Sequence, residues 1–183
     1  MSRLPIPTLE TMTPEQRRVY DDIRTGPRGS VRGPFPVLLI SPKVADPLQR
    51  LGAYLRFDTP LPARARELAT LIAARHWTCQ IEWYSHAPLA LKSGVPEPLV
   101  AAIKGRKQPA LDDPADKAVY DVSTELLNKG TVSEPTHKAA VQALGAESVV
   151  ELVVLVGYYT TLAMTINAHA VPMPEGVNPP LAP

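Results

Sequence analysis

Apolar residues recur three and four positions apart along most of the chain, the interval that places side chains on one face of an α-helix. The clearest run is Val44, Leu48, Leu51 and Leu55. No segment keeps the alternation of apolar and polar residues that a half-buried strand shows. The pattern therefore predicts an all-α protein with about seven or eight helices, in a single domain that covers residues 1–183.

Capping residues, prolines and glycines predict where the helices begin and end. Thr13-Pro14 combines an N-cap residue with proline at the first helical position, and Ser93-Gly94 is typical of a helix C-terminus. The predicted helices cover residues 14–24, 42–57, 62 to about 75, 79–92, 96–104, 112–128, 133–143 and 146–168. Residues 1–40, which include the first of these helices, form a proline-rich N-terminal extension. Within it, one helical turn or an extended segment at 33–40 is favoured over a strand, and residues 171–183 are expected to form an extended C-terminal tail.

Charge and cysteine content narrow the classes of partner and environment. The formal net charge is +1, so no broad field attracts nucleic acid or an anionic membrane. The single cysteine, Cys79, excludes an intrachain disulfide and a thiolate-rich metal cage. The amino terminus lacks the apolar core of a signal peptide, and the most apolar stretch, 149–163, is too short to span a membrane. We therefore expect a cytoplasmic protein whose partners include neither nucleic acid nor a membrane.

Potentially reactive side chains are concentrated in the segment from Glu67 to His86. Cys79, Glu82 and His86 stand at positions i, i+3 and i+7, the spacing of one helix face. Glu82 and His86 form an i, i+4 pair in which a carboxylate can orient an imidazole. Glu67 lies one helix earlier and approaches the same point if the two helices form a hairpin.

Each of these residues also has a purely structural interpretation. Glu82 and His86 suit a surface helix pair, Cys79 a small buried hydrophobe, and Glu67 a solvated helix residue. A zinc site built from the four is disfavoured, because common structural zinc sites do not take this ligand set from one tight helical face. The residues alone leave these alternatives open.

The same segment resembles the carboxymuconolactone decarboxylase/AhpD-like family. In AhpD-type peroxidases a glutamate is followed 12 residues later by a Cys-x-x-Cys helix, and a histidine follows four residues after the second cysteine. Here Glu67 lies 12 residues before Cys79, Glu82 occupies the position of the second cysteine, and His86 follows four residues later. The core of the resemblance covers about residues 45–105. It implies an AhpD-like helical fold, a homo-oligomer (trimer or hexamer), and no metal or organic cofactor.

The residue at position 82 separates the two branches of that family. A peroxidatic cycle needs a second thiol to resolve the sulfenic acid, and this chain has one cysteine. Glu82 instead resembles the decarboxylase branch, in which a Glu-x-x-x-His pair replaces the thiols. The resemblance therefore implies a cofactor-independent lyase acting on a small carboxylated lactone or a related aromatic-degradation intermediate. His86 would donate or accept the proton, Glu82 would orient it, and Glu67 would be a second acid/base or its hydrogen-bond partner.

Several neighbouring residues are candidates for contact with such a substrate. Cys79, Trp83 and Tyr84 would line or wall the cavity, and Arg75 and His76 would hold a substrate carboxylate. Further candidates on the last helix, for which packing or subunit contact is the alternative, are Tyr158, Tyr159, Asn167 and His169. Two other functions stay open: a thiol peroxidase or redox protein that uses Cys79 with an external thiol, and a non-catalytic helical protein for ligand binding or assembly.

Overall fold

The computed structural model describes residues 2–183, and within that range it contains nine α-helices and no strand. The helices are α1 (Pro14–Thr25), α2 (Phe35–Leu38), α3 (Pro42–Phe57), α4 (Ala63–His76), α5 (Gln80–Lys92), α6 (Glu97–Lys104), α7 (Pro114–Lys129), α8 (Glu134–Leu144) and α9 (Ala146–Ala168). This confirms the all-α prediction, and the eight predicted helices begin and end within two residues of the observed ones. The ninth helix, α2, is the single turn that was one of two options for residues 33–40.

The helix ends follow from local hydrogen bonding. Thr13 accepts a hydrogen bond from the Gln16 backbone N–H, and the Gln16 side chain accepts one from the Thr13 N–H, so two free donors at the start of α1 are satisfied. Asp113 caps α7 in a similar way. Gly130 ends α7 with a φ of 70°, a left-handed conformation that costs glycine little.

α4 lies at the centre of the helical array. It packs against α5, α7 and α9, and all of its residues from Glu67 to Arg75 are buried. α9, the longest helix, shares the core with α4. By length and composition α9 could also cross a membrane, but 56% of its most apolar window is buried inside the protein, as in the core helix of a soluble protein. α4 therefore carries its polar residues, Glu67 among them, into the protein interior.

Arg64 and Arg66 form a short basic cluster flanked by apolar residues, a pattern that predicts a solvated helix face, but Arg64 lies partly inside the fold. Arg64 Nε donates to Asp116 Oδ1 at 2.9 Å, and Asp116 on α7 is buried. This ion pair joins α4 to α7. The solvated interpretation was wrong for Arg64 because the neighbouring helix supplies a carboxylate that no local pattern reveals.

The N-terminal end of the described chain is hydrogen-bonded to the C-terminus of α9, and the C-terminal end is hydrogen-bonded to the N-terminus of α5. The Arg3 backbone N–H donates to the carbonyl of His169 at 2.9 Å. The Gln80 side chain, in the first turn of α5, exchanges two hydrogen bonds with the backbone of Leu181, at 2.8 and 2.9 Å. These contacts hold the C-terminal tail against the N-terminus of α5, beside the residues of the Glu67–His86 segment.

Candidate active site

A tight turn between α4 and α5 brings the two halves of the Glu67–His86 segment together. Thr78 has a φ of 48°, which is uncommon for a residue other than glycine. Its hydroxyl accepts hydrogen bonds from Arg75 and Arg106, both at 3.0 Å, while Arg75 Nε donates to the carbonyl of Lys104. These contacts fix the reversal of the chain, and α5 returns along α4 as an antiparallel neighbour.

The reversal places His86 between two carboxyl groups. His86 Nδ1 lies 2.7 Å from Glu67 Oε2, and His86 Nε2 lies 3.4 Å from Glu82 Oε2. All three residues are at most 6% exposed. The ring of Tyr159 meets the imidazole edge to face, with the ring centroids 5.0 Å apart. The shorter bond is therefore made by Glu67, whereas the sequence assigned the orientation of the ring to Glu82.

Burial changes the proton affinity of the acids in this cluster. Loss of solvent raises the pKa of the Glu82 carboxyl, an effect only partly opposed by the positive charges of His86, Arg56 and Arg28. Loss of solvent also raises the pKa of the Tyr159 phenol. Burial thus shifts the Glu82 carboxyl towards its protonated form, the direction that suits a proton donor.

A cavity of about 540 Å³ opens onto this cluster. Glu82 and His86 of α5 line it together with Tyr158 and Tyr159 of α9. Residues of the loop between α1 and α2 and of the C-terminal tail also line it. The remaining lining residues are Pro27, Arg28, Ser30, Arg32, Gly33, Pro34, Phe35, Arg56, Phe57, Ile81, Tyr84, Ser85, Leu89, Leu162, Val171, Pro172 and Pro174.

Comparison with solved structures identifies the architecture. The chain superposes with a TM-score of 0.77 on a crystal structure from Ralstonia eutropha JMP134 that is described as an alkylhydroperoxidase AhpD core and an uncharacterized peroxidase-related protein. The two chains are 16% identical, and the match covers 95% of this chain and 93% of the other. This chain has the AhpD-like fold. No family model and no curated protein sequence matches it significantly.

Within this AhpD-like fold Cys79 lies apart from the cavity. It is fully buried in a small apolar cluster with Ile81, Ala163 and Ile166. Burial raises the pKa of its thiol to about 12. The sequence placed Cys79 on the same helix face as Glu82 and His86, but Cys79 is the N-cap residue of α5, with extended dihedral angles. Helical spacing does not apply to a residue outside the helix, so its side chain points elsewhere.

Arg75 and His76, expected to hold a substrate carboxylate, line a different cavity of about 240 Å³. The reason is that α4 ends at His76, and the left-handed turn at Thr78 directs this end of the helix away from His86. Arg75 instead holds the turn through Thr78 and Lys104. Arg75 and His76 were expected to bind a substrate carboxylate near His86, but neither side chain lines the cavity that contains His86.

The remaining predicted residues divide into those that reach the cavity and those that do not. Tyr84, Tyr158 and Tyr159 line the cavity. Trp83 is buried in the main core and does not line the cavity. Asn167 donates to the carbonyl of Trp77 and so joins α9 to the turn between α4 and α5, whereas the His169 carbonyl accepts from the N-terminal segment.

Three lining residues, Arg28, Arg32 and Arg56, were missed by the sequence interpretation. Two of them lie in a loop without apolar periodicity, and no local motif connects that loop with α5. In residues 2–183, no three His, Cys, Asp or Glu side chains are arranged to hold a metal ion.

Proposed function

We propose that this AhpD-like protein is a lyase that removes CO2 from a small carboxylated lactone or a related intermediate by acid–base chemistry. The observation that carries the proposal is the buried Glu67–His86–Glu82 arrangement at the wall of a 540 Å³ cavity that excludes the only cysteine. A cavity of this size suits a small organic molecule. The lactone carbonyl can accept the electron pair released in the reaction, so no step requires a metal or an organic cofactor.

In the proposed reaction the bond between the leaving carboxylate carbon and the ring carbon breaks heterolytically. CO2 departs, and the electron pair passes into the conjugated lactone as an enolate. One proton must then be added at carbon. It moves from the Glu82 carboxyl to His86 Nε2, and His86 delivers it to the substrate, after which solvent reprotonates Glu82.

Glu67 acts through His86 in this scheme. The His86 Nδ1–H donates to Glu67 Oε2 across 2.7 Å, which selects the tautomer whose Nε2 is free to take the Glu82 proton. While His86 carries the extra proton, the Glu67 carboxylate stabilises the imidazolium. Both effects depend on the burial of the pair, because water would weaken the interaction.

The test compares the turnover of carboxylated lactones by wild type, His86→Ala and Glu82→Gln, measured as the rate of CO2 release. Each variant should lower kcat/KM by about 10²-fold or more, the usual scale of general acid–base catalysis. His76→Ala is the matched control, because His76 lines the other cavity, and it should keep wild-type turnover. Circular dichroism melting establishes that the variants are folded. Full activity of both His86→Ala and Glu82→Gln would remove the pair from the mechanism.

The thiol-based alternative makes an opposite prediction at Cys79. A peroxidatic cysteine must present a thiolate to the solvent, whereas this thiol is 0% exposed and has a pKa raised to about 12. We therefore expect slow labelling of the native protein by a chromogenic disulfide at pH 7, and rapid labelling only in denaturant. Fast native labelling, together with peroxide consumption that Cys79→Ser abolishes, would favour the redox function instead.

We also propose that the protein is a homo-oligomer, as a trimer or hexamer. Four large apolar side chains are exposed along one face of α9: Val150, Val153, Val154 and Met164. An apolar face of this kind on a core helix is typical of a subunit contact.

A further inference from the structure

Arg28, Arg32 and Arg56 converge on the cavity from two separate segments. Arg28 and Arg32 lie in the loop between α1 and α2, and Arg56 lies in the last turn of α3. Across residues 2–183 none of the three forms a salt bridge with a carboxylate. Elsewhere each of the following pairs with an aspartate: Arg17, Arg18, Arg24, Arg50 and Arg64. Four other arginines, Arg3, Arg66, Arg75 and Arg106, also lack a salt bridge in this range, but none of them lines this cavity; Arg28, Arg32 and Arg56 are the guanidinium groups that share it.

Arg28 is held in place by the fold. Its guanidinium carbon lies 4.6 Å from the centroid of the Phe35 ring, and its Nη2 donates to the Tyr158 hydroxyl at 3.1 Å. Its Nε is buried and has no hydrogen-bond partner in the described chain. Helix α3 leaves room for this side chain, because a Cβ at Gly52 would lie 2.3 Å from Arg28 Nη2. A buried donor without a partner is costly, and an incoming acceptor would remove that cost.

The only acid that lines the cavity, Glu82, makes its ionic contact with His86 and none with these arginines. Burial raises the pKa of the Glu82 carboxyl, although Arg28 and Arg56 lower it. The three guanidinium groups therefore have no carboxylate partner in the cavity. Guanidinium groups bind oxyanions such as carboxylates well, because two parallel N–H donors match two oxygens. A carboxylate is the oxyanion that the proposed carboxylated substrate supplies.

We infer that Arg28 and Arg56, with the exposed Arg32, form a carboxylate-binding subsite in the cavity that His86 also lines. The bound carboxylate is one that the substrate retains: guanidinium groups stabilise a negative carboxylate, so holding the leaving group there would oppose its conversion to neutral CO2. The substrate would then be anchored through this group while its reacting carbon faces His86. The identity of the reaction rests on the proposed function, whereas binding of the anion at the arginines does not.

Glutarate, a flexible dicarboxylate, and glutaramide, its uncharged isostere, are suitable probes in isothermal titration calorimetry. Wild type should bind glutarate and bind glutaramide at least about tenfold more weakly. Arg28→Gln and Arg56→Gln should each raise the Kd for glutarate by about 10- to 100-fold, the range for loss of a charge-assisted hydrogen bond. Arg50→Gln is the matched control, since Arg50 lies on the same helix but pairs with Asp46 outside the cavity, and its Kd should equal that of wild type.

Equal affinity of wild type and both arginine variants for glutarate would overturn the subsite, as would equal binding of glutaramide, or no glutarate binding at 20 mM. If Arg28→Gln does not fold, the Kd for glutarate is compared between wild type, Arg56→Gln and Arg32→Gln, in which the substituted side chain is exposed. The result is separable from the lyase proposal. If glutarate binding depends on the arginines but no lactone acid is turned over, the subsite is supported and the lyase proposal is rejected. If a lactone acid is turned over but glutarate binding does not depend on the arginines, the lyase proposal is supported and the subsite is rejected.

Discussion

Gly52 on α3 allows that helix to approach α9 at the wall of the cavity, and Gly52→Ala tests how closely this wall is packed. A methyl group built at Gly52 would lie 1.9 Å from the Tyr158 hydroxyl oxygen and 2.3 Å from Arg28 Nη2. Carbon and oxygen atoms in contact are normally separated by about 3.5 Å. Either Tyr158 or the whole of α3 must therefore move by more than 1 Å.

The displacement would pass from Tyr158 to the catalytic candidate His86. Tyr158 packs edge to face on Tyr159 with ring centroids 5.4 Å apart, and Tyr159 packs in the same way on His86. Overpacking of this kind costs about 1–3 kcal/mol. The substitution also has a favourable effect, because alanine is better than glycine in a helix by roughly 1 kcal/mol.

Gly157→Ala on α9 isolates the cost of overpacking. A Cβ at Gly157 meets no atom of its own chain within 4 Å, so within one subunit this variant gains the helix propensity alone. Because Gly157 lies on the exposed face of α9, sedimentation must show that both variants keep the oligomeric state of wild type before their stabilities are compared. We expect Gly52→Ala to be less stable than Gly157→Ala by about 1–3 kcal/mol, which corresponds to a melting temperature lower by roughly 2–12 °C for a protein of this size. Calorimetry at matched protein concentration measures the difference. Equal melting temperatures would refute the close approach of α3 to Tyr158.

Two further predictions concern Glu82 and the surface of α9. Burial raises the pKa of Glu82 in the folded state above 4.5. With respect to Glu82, the folded protein therefore keeps its full stability below about pH 4.5, where this carboxyl is protonated in both states, and loses stability as pH rises through the folded-state pKa. Glu82→Gln should therefore gain stability relative to wild type from pH 4.5 upward in urea denaturation; a pH-independent difference would contradict this. Val153→Lys should dissociate the oligomer in sedimentation, while His137→Lys on α8 should not; a 19.8 kDa wild-type species at micromolar concentration argues against the assembly.

Part of the site could be predicted from the sequence because the relevant contacts are local. Glu82 and His86 are one helical turn apart, so their proximity follows from the helix alone. The start of α1 at Thr13-Pro14 and the end of α7 at Gly130 likewise depend on hydrogen bonds and dihedral angles within a few residues. Signals of this range are present in the order of the amino acids, and they established the all-α class, the helix bounds and the acid–imidazole pair.

Only the tertiary structure decided which groups share the cavity. The bond between Glu67 and His86 joins residues 19 positions apart and depends on how α4 and α5 reverse at Thr78. Cys79 is removed from the cavity by its dihedral angles at the helix boundary, and Arg28 enters it from a loop without periodicity. Such placements depend on which surfaces of the helices pack together, and the free energy that selects them is summed over contacts between distant segments, so no local pattern of residues encodes them.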